Sequence, residues 1–286
     1  MITSDHERVR PDGGEGFADA VTVSFATPDG AWSGLVRCGL TAGGASVLAV
    51  LFRGREPVAA LVRGDLERPA DADWSEFSSA GLRVTIEAPL ERWTLAGDIE
   101  GTVVDLTFVA VSAPAELGGE VTRLGGMDGY EQLCSVHGTI GGEAVQALGQ
   151  RGHQWGIVDW GEIELARTVS CWVGIEEGGV MVTSVRPGGA RGHDEEASWG
   201  ALVDRGEVLE VFDPRLSTTY DSDGRQRRAG LELWVGEDDG YPYRAAGEVA
   251  CGSTLELGQL RLDLAFFRWH AEGRDGIGRY DVLRRA

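Results

Sequence analysis

The chain has 286 residues, 42% of them hydrophobic and 25% charged, with a net charge of −20. That balance describes a folded globular protein with a sizeable core, and so acidic a surface excludes binding to nucleic-acid phosphates and disfavours an anionic membrane face. Lysine is absent, so all 26 fixed side-chain cations are arginine, which excludes lysine Schiff-base chemistry and a Walker-type phosphate lysine.

Residues 1–16 are polar and read as a disordered tail with no signal peptide. No window approaches the roughly 20 apolar residues of a membrane helix, so no membrane insertion is expected and the expected location is the cytoplasm. Strand patterns follow at Val21–Phe25 and Leu35–Cys38, around the turn Pro28-Asp29-Gly30, then at Ser46–Phe52 and Val58–Val62. Leu82–Ile86, Trp93–Ile99 and Thr102–Val111 keep the rhythm of a sandwich or barrel. Ala113–Gly126, rich in small residues, Pro and Gly, reads as a connection.

A second series begins with Tyr130–His137 and Glu143–Leu148 around a glycine turn at Gly138–Gly142. It continues through Ile163–Ile175, Val180–Val185, Trp199–Val203, Val208–Phe212, Leu231–Val235, Ala245–Cys251, Leu260–Phe267 and Arg279–Leu283. No long helical period appears, so helices should be few and short. The expected architecture is all-β, in two antiparallel barrel or sandwich halves: residues 17–120 and 121–286. Cys38, Cys134, Cys171 and Cys251 are widely spaced among strand residues, with no metal-ligand spacing, and read as buried reduced thiols.

The densest chemistry lies in Gly149-Gln150-Arg151-Gly152-His153-Gln154-Trp155-Gly156-Ile157-Val158-Asp159-Trp160. On a strand, His153 and Trp155 point the same way, setting a titratable imidazole beside an aromatic wall. The plain alternative is core packing. Asp159, Glu131, Glu162 and Glu164 are the nearby acids; Asp159 could equally pair with Arg151, and Glu131 shares a strand face with His137. His193 looks like a solvated loop residue and His270 a strand-end residue. With no G-x-S-x-G elbow and no dinucleotide loop, the chemistry should need no nucleotide cofactor, and no metal is expected.

Tyr130-Glu131-Gln132, the His153-x-Trp155 run and the C-terminal Glu272-Gly273-Arg274-Asp275-Gly276-Ile277-Gly278-Arg279-Tyr280 resemble the carotenoid 1,2-hydratase (hydroxyneurosporene synthase) and AttH-like superfamily, which includes lipocalin-like Diels–Alderases. The resemblance implies two tandem lipocalin-like β-barrel domains, with the second (121–286) carrying the His-x-Trp motif. It also implies that His153 and Trp155 belong to a site where an alkene is protonated and water traps the cation. The hydratases use a tyrosine and an aspartate further along, where this chain has Gly179-Val180-Met181-Val182-Thr183. Many relatives carry Asp at the place of Gly152 and Ser at that of Gln154. The expectation is therefore a cofactor-independent cyclase or hydratase of the lyase or isomerase type, tilted toward cyclisation, acting on a polyene, isoprenoid or polyketide-like metabolite. The catalytic candidates are His153, Asp159 and Glu131, and the substrate-lining candidates are Trp155, Trp160, Trp172, Tyr130 and Gln132. A non-catalytic carrier of a lipophilic metabolite is the alternative.

Overall fold

The computed structural model describes every residue except 12 and 237–239, and the side chain of His193 is also outside it. Two units emerge: residues 1–116 with 127–158, and residues 117–126 with 159–286.

The first unit holds β1 (Phe17–Ala26), β2 (Trp32–Thr41), β3 (Ala45–Arg53), β4 (Glu56–Leu66), β5 (Glu76–Ser79), β6 (Leu82–Ala88), β7 (Arg92–Ile99), β8 (Thr102–Ala110) and β9 (Ala115–Glu116). After α1 (Gly119–Gly125), which falls in the second unit, come β10 (Met127–Ile140) and β11 (Glu143–Ile157). The sheet runs β4-β3-β2-β1-β11-β10-β8-β7-β6-β5, with β9 on β10. β1 and β11 pair antiparallel along their length, from Phe17 opposite Ile157 to Ala26 opposite Leu148. Val21, Val23, Phe25, Phe108, Cys134, Val136 and Ala147 share the inner face and make its core.

The second unit holds β12 (Ile163–Gly174), β13 (Gly178–Pro187), β14 (Ala197–Asp204), β15 (Glu207–Glu210), β16 (Asp213–Tyr220), β17 (Gln226–Trp234), β18 (Tyr243–Leu257), β19 (Leu260–Ala271) and β20 (Arg274–Arg285). Its order, β15-β14-β13-β12-β20-β19-β18-β17-β16, repeats the plan of the first, with the last strand closing against the first. Val169, Cys171, Phe267, Trp269, Tyr280 and Val282 form its core. In β18 buried and exposed residues largely alternate, as a strand with one wet face requires. All four cysteines are free and buried.

The fold is thus almost all β, in two curled antiparallel sheets of lipocalin-like type. Three sequence expectations change. The β10–β11 hairpin, and the His-x-Trp motif with it, belongs to the first unit, because β11 closes against β1. The expected connection at Ala113–Gly126 contains β9 and α1, the helix ended by Gly126 in the left-handed conformation. Residues 1–16 are not a free tail: Ser4–Glu7 form a 3₁₀ turn, and Glu7 is buried.

Candidate active site

Alternation along β11 sends Arg151, His153 and Trp155 to one face and Gln150, Gly152 and Gln154 to the other. Tyr130 lies opposite His153, and Gln132 opposite Arg151, so both share the inner face. The apolar floor therefore gives way, at one end of the interior, to a buried polar cluster.

His153 is wholly buried. Its Nε2 lies 2.5 Å from Asp19 Oδ1, while the other oxygen, Oδ2, accepts from Trp74 Nε1 at 3.0 Å and from the Arg10 backbone N–H at 2.7 Å. A carboxylate already receiving two N–H groups is an acceptor, so His153 donates through Nε2. Nδ1 has no protein partner. The rings of Trp74, Tyr130 and Trp155 stand edge-on around the imidazole at 6.1, 6.3 and 5.1 Å.

Beside it is a second buried acid. Glu7 Oε2 accepts from Arg151 Nη2 at 2.5 Å and from Trp93 Nε1 at 2.9 Å, and Oε1 accepts from the Tyr130 hydroxyl. Arg151 Nη1 also donates to that hydroxyl, and its guanidinium lies 4.2 Å from the centre of the Trp93 ring. Burial pushes the Tyr130 phenol well above its ordinary value and the Glu7 charge adds to this, while Arg151 pulls the other way. Tyr130 is therefore a proton-bearing donor at neutral pH. Trp155, half-buried, meets the His6 ring at 5.9 Å and carries the Arg10 guanidinium 4.7 Å from its centre.

The remaining candidates go elsewhere. Glu131 is buried, but on the opposite face of the sheet, where it accepts from Gln150 at 2.7 Å and Gln154 at 2.9 Å. A Cβ at Gly152 would run into its carboxyl, so glycine there makes room for the acid. Strand parity thus separates Glu131 from His153, and its face-mate His137 is exposed. Asp159 is an exposed turn residue whose Oδ1 accepts from the Gly161 backbone at 2.7 Å; it does not pair with Arg151. Trp160 lies in that turn, and Trp172 is buried on β12 of the second unit, on the face opposite its core residue Cys171. Gln132 is a tether: its amide donates to Leu90 O at 3.0 Å and Ser112 O at 2.7 Å. Glu164 reaches Arg186 at the surface, and His270 is exposed beside Asp275.

Sequence reasoning missed Glu7, Asp19, Trp74 and Trp93. Asp19 had a signal: it alternates with Val21, Val23 and Phe25, and an acid in an apolar stripe demands a partner. Glu7, inside a polar run, had none.

The second unit carries its own buried cluster. Arg167 and Arg186 pair with Glu196, Ser184 donates to the same acid at 3.0 Å, and Thr218 meets the Tyr280 hydroxyl. A cleft of about 560 Å³ opens beside it, between Arg167, Glu196 and the Phe212–Leu216 stretch.

A family profile described as a domain of unknown function (DUF7064) matches residues 3–286. Among solved structures, the fold is similar to that of CghA with Sch210972, with a TM-score of 0.67, 10% identity, and coverage of 95% of this chain and 89% of that one. It is similar to kievitone hydratase from Nectria haematococca (TM-score 0.66, 12% identity, 99% and 93% covered). It is also similar to an AttH-like protein from Nitrosomonas europaea (TM-score 0.56, 13% identity, 93% and 91% covered). No curated protein sequence matches the chain. At the level of fold, the resemblance read from the His-x-Trp and C-terminal motifs is borne out.

Proposed function

The chain belongs to the DUF7064 family, and we propose that it is a cofactor-independent enzyme of the hydratase or cyclase type, acting on a lipophilic small molecule at the polar end of the first unit. One observation carries this: a fully buried imidazole whose Nε2 is fixed by Asp19 and whose Nδ1 has no protein partner. Buried polar atoms are normally hydrogen-bonded, so an unpaired nitrogen on a fully buried imidazole calls for an explanation. Here one nitrogen is held and the other is left for a ligand, the arrangement by which a carboxylate orients a working imidazole.

In hydration, His153 acts as the imidazolium, with Nε2–H held by Asp19: it delivers its Nδ1 proton to one alkene carbon, and the neutral ring then recovers a proton at Nδ1 from the water that adds to the other, ending as it began. The Trp74, Tyr130 and Trp155 rings supply an apolar wall that tolerates developing positive charge. In a pericyclic closure, new carbon–carbon bonds form at the expense of π bonds, and the Nδ1–H of the same imidazolium needs only to hydrogen-bond a substrate carbonyl. The hydratase and CghA folds support both routes equally. A polyene, isoprenoid or polyketide-like substrate and a cytoplasmic setting belong to this proposal.

Kievitone and Sch210972 serve as first probes, with binding followed by tryptophan fluorescence and bound compounds analysed by mass spectrometry. Conversion to a product one water heavier, or to an isomer, lost in His153→Ala with binding retained, supports the enzyme. Every bound compound recovered unchanged supports a carrier instead.

A further inference from the structure

We infer that the N-terminal segment is an internal occupant of an anion-binding hole whose external ligand is the carboxylate of a lipophilic substrate. The inference rests on the reading above that a ligand enters this end of the first unit. Three donors converge on one carboxylate: the Arg151 guanidinium, the Trp93 indole N–H and the Tyr130 hydroxyl. They come from β11, β7 and β10, each held in the sheet by continuous ladders. The acid comes instead from a four-residue 3₁₀ turn, tied at its two ends by His6 N–H to Thr3 O at 2.9 Å and Arg8 N–H to Asp5 O at 3.4 Å, and paired with no strand among the described residues. The receptor is rigid and its occupant lightly built.

The same segment closes the rest of the site. Arg10 caps Asp19 through its backbone N–H and lays its guanidinium over Trp155, against which His6 also packs. Withdrawing it would remove the partners of Arg151, Trp155 and the Asp19 carboxylate that holds His153. A guanidinium as deeply buried as that of Arg151 requires an anion, so a ligand that displaces Glu7 must bring one. Space is present alongside: a cleft of about 490 Å³, bordered by Asp5, Glu7, Asp73, Ser75, Ile86 and Pro89, opens where Glu7 enters. Its size suits a small organic molecule, and its lining is polar apart from Ile86 and Pro89. The indoles lie at the buried site itself, where Trp93 bonds Glu7 and Trp155 lies under Arg10, so the hole selects for acidity and its indole neighbours for an apolar body.

The test is titration of the full-length protein with dodecanoate and, separately, dodecanol, followed by tryptophan fluorescence and by thermal melts. Glu7→Ala should bind dodecanoate at least about tenfold more tightly than the unaltered chain, as removing a competing internal ligand requires. Dodecanol should bind all variants alike, and adding Arg151→Met should erase the gain. If Glu7→Ala melts too low to titrate, Glu7→Gln keeps the shape without the charge and carries the same expectation. Equal dodecanoate affinity with and without the Glu7 carboxylate, a gain shared by dodecanol, or a gain that survives Arg151→Met overturns the inference. The catalytic reading fails separately: a dodecanoate gain together with conversion untouched by His153→Ala removes it and leaves the anion hole standing.

Discussion

Asp19 and His153 meet diagonally across the β1–β11 ladder: His153 lies opposite Val21 and Asp19 opposite Trp155, yet Oδ1 and Nε2 close to 2.5 Å on the inner face. The carboxylate thereby chooses which imidazole nitrogen is spoken for.

Asp19→Asn retains the shape but offers an amide where the imidazole, Trp74 and the Arg10 backbone all donate. Turnover of a converted compound should fall about 10²–10⁴-fold, the usual worth of positioned acid–base catalysis. Binding of the same compound should change little. A parallel loss of affinity and rate, measured by separating KM from kcat, would assign Asp19 to binding alone.

Glu7 and Arg151 form a buried ion pair, and removing either partner strands the other. Glu7→Ala and Arg151→Met should each cost about 3–5 kcal/mol in chemical denaturation. The double variant should cost clearly less than the two added, because the orphaned charge disappears with its partner. Additive costs would show that the two do not interact.

Gly152→Ala places a methyl group against the Glu131 carboxyl, held on its other side by Gln150 and Gln154. The overpacking should lower stability by about 1–3 kcal/mol, and Glu131→Ser in the same chain should recover most of it. A neutral Gly152→Ala in a denaturant melt would mean the acid moves aside freely.

Glu196 gives an acid-side dependence. Burial alone would raise its carboxyl, but Arg167, Arg186 and Ser184 outweigh this and hold it below the ordinary carboxylate range. A depressed folded value means that its stabilisation is complete above the ordinary range and is lost as pH falls through the lower, folded one. Between about pH 6 and pH 3, Glu196→Gln should therefore lose less melting temperature than the unaltered chain. Parallel losses would remove Glu196 as a source of acid sensitivity.

Burial pushes the Cys38 and Cys134 thiols up to about 12. Neither should react with a thiol reagent in the native protein at neutral pH, and both should react in denaturant. Rapid native labelling would indicate local opening of the first unit.

Strand positions were legible because alternation survives in most of them. The division into two halves was legible too, but its boundary was not, since β1 and β11 pair across most of the first unit and no local pattern announces that closure. Parity in β10 was readable in principle: Tyr130, Cys134 and Val136 outweigh Glu131, Ser135 and His137 in apolar character, which marks the even residues as inward and Glu131 as outward. Asp159 misled because an acid beside a catalytic-looking run is also what the turn at Asp159-Trp160-Gly161 needs to cap its own backbone. Trp93 joins the site from β7 and Trp74 from the turn before β5, both far along the chain from His153, a meeting that residue spacing does not encode.

The whole account turns on the state of one ring, so ¹⁵N-edited NMR of His153 tests it most directly, in the free protein and with a bound probe. Nε2 should carry a proton in both states, and the Nδ1 resonance should move when the probe binds. A bare Nε2, or an Nδ1 signal indifferent to every compound that binds the first unit, would contradict the proposal that His153 works on a ligand.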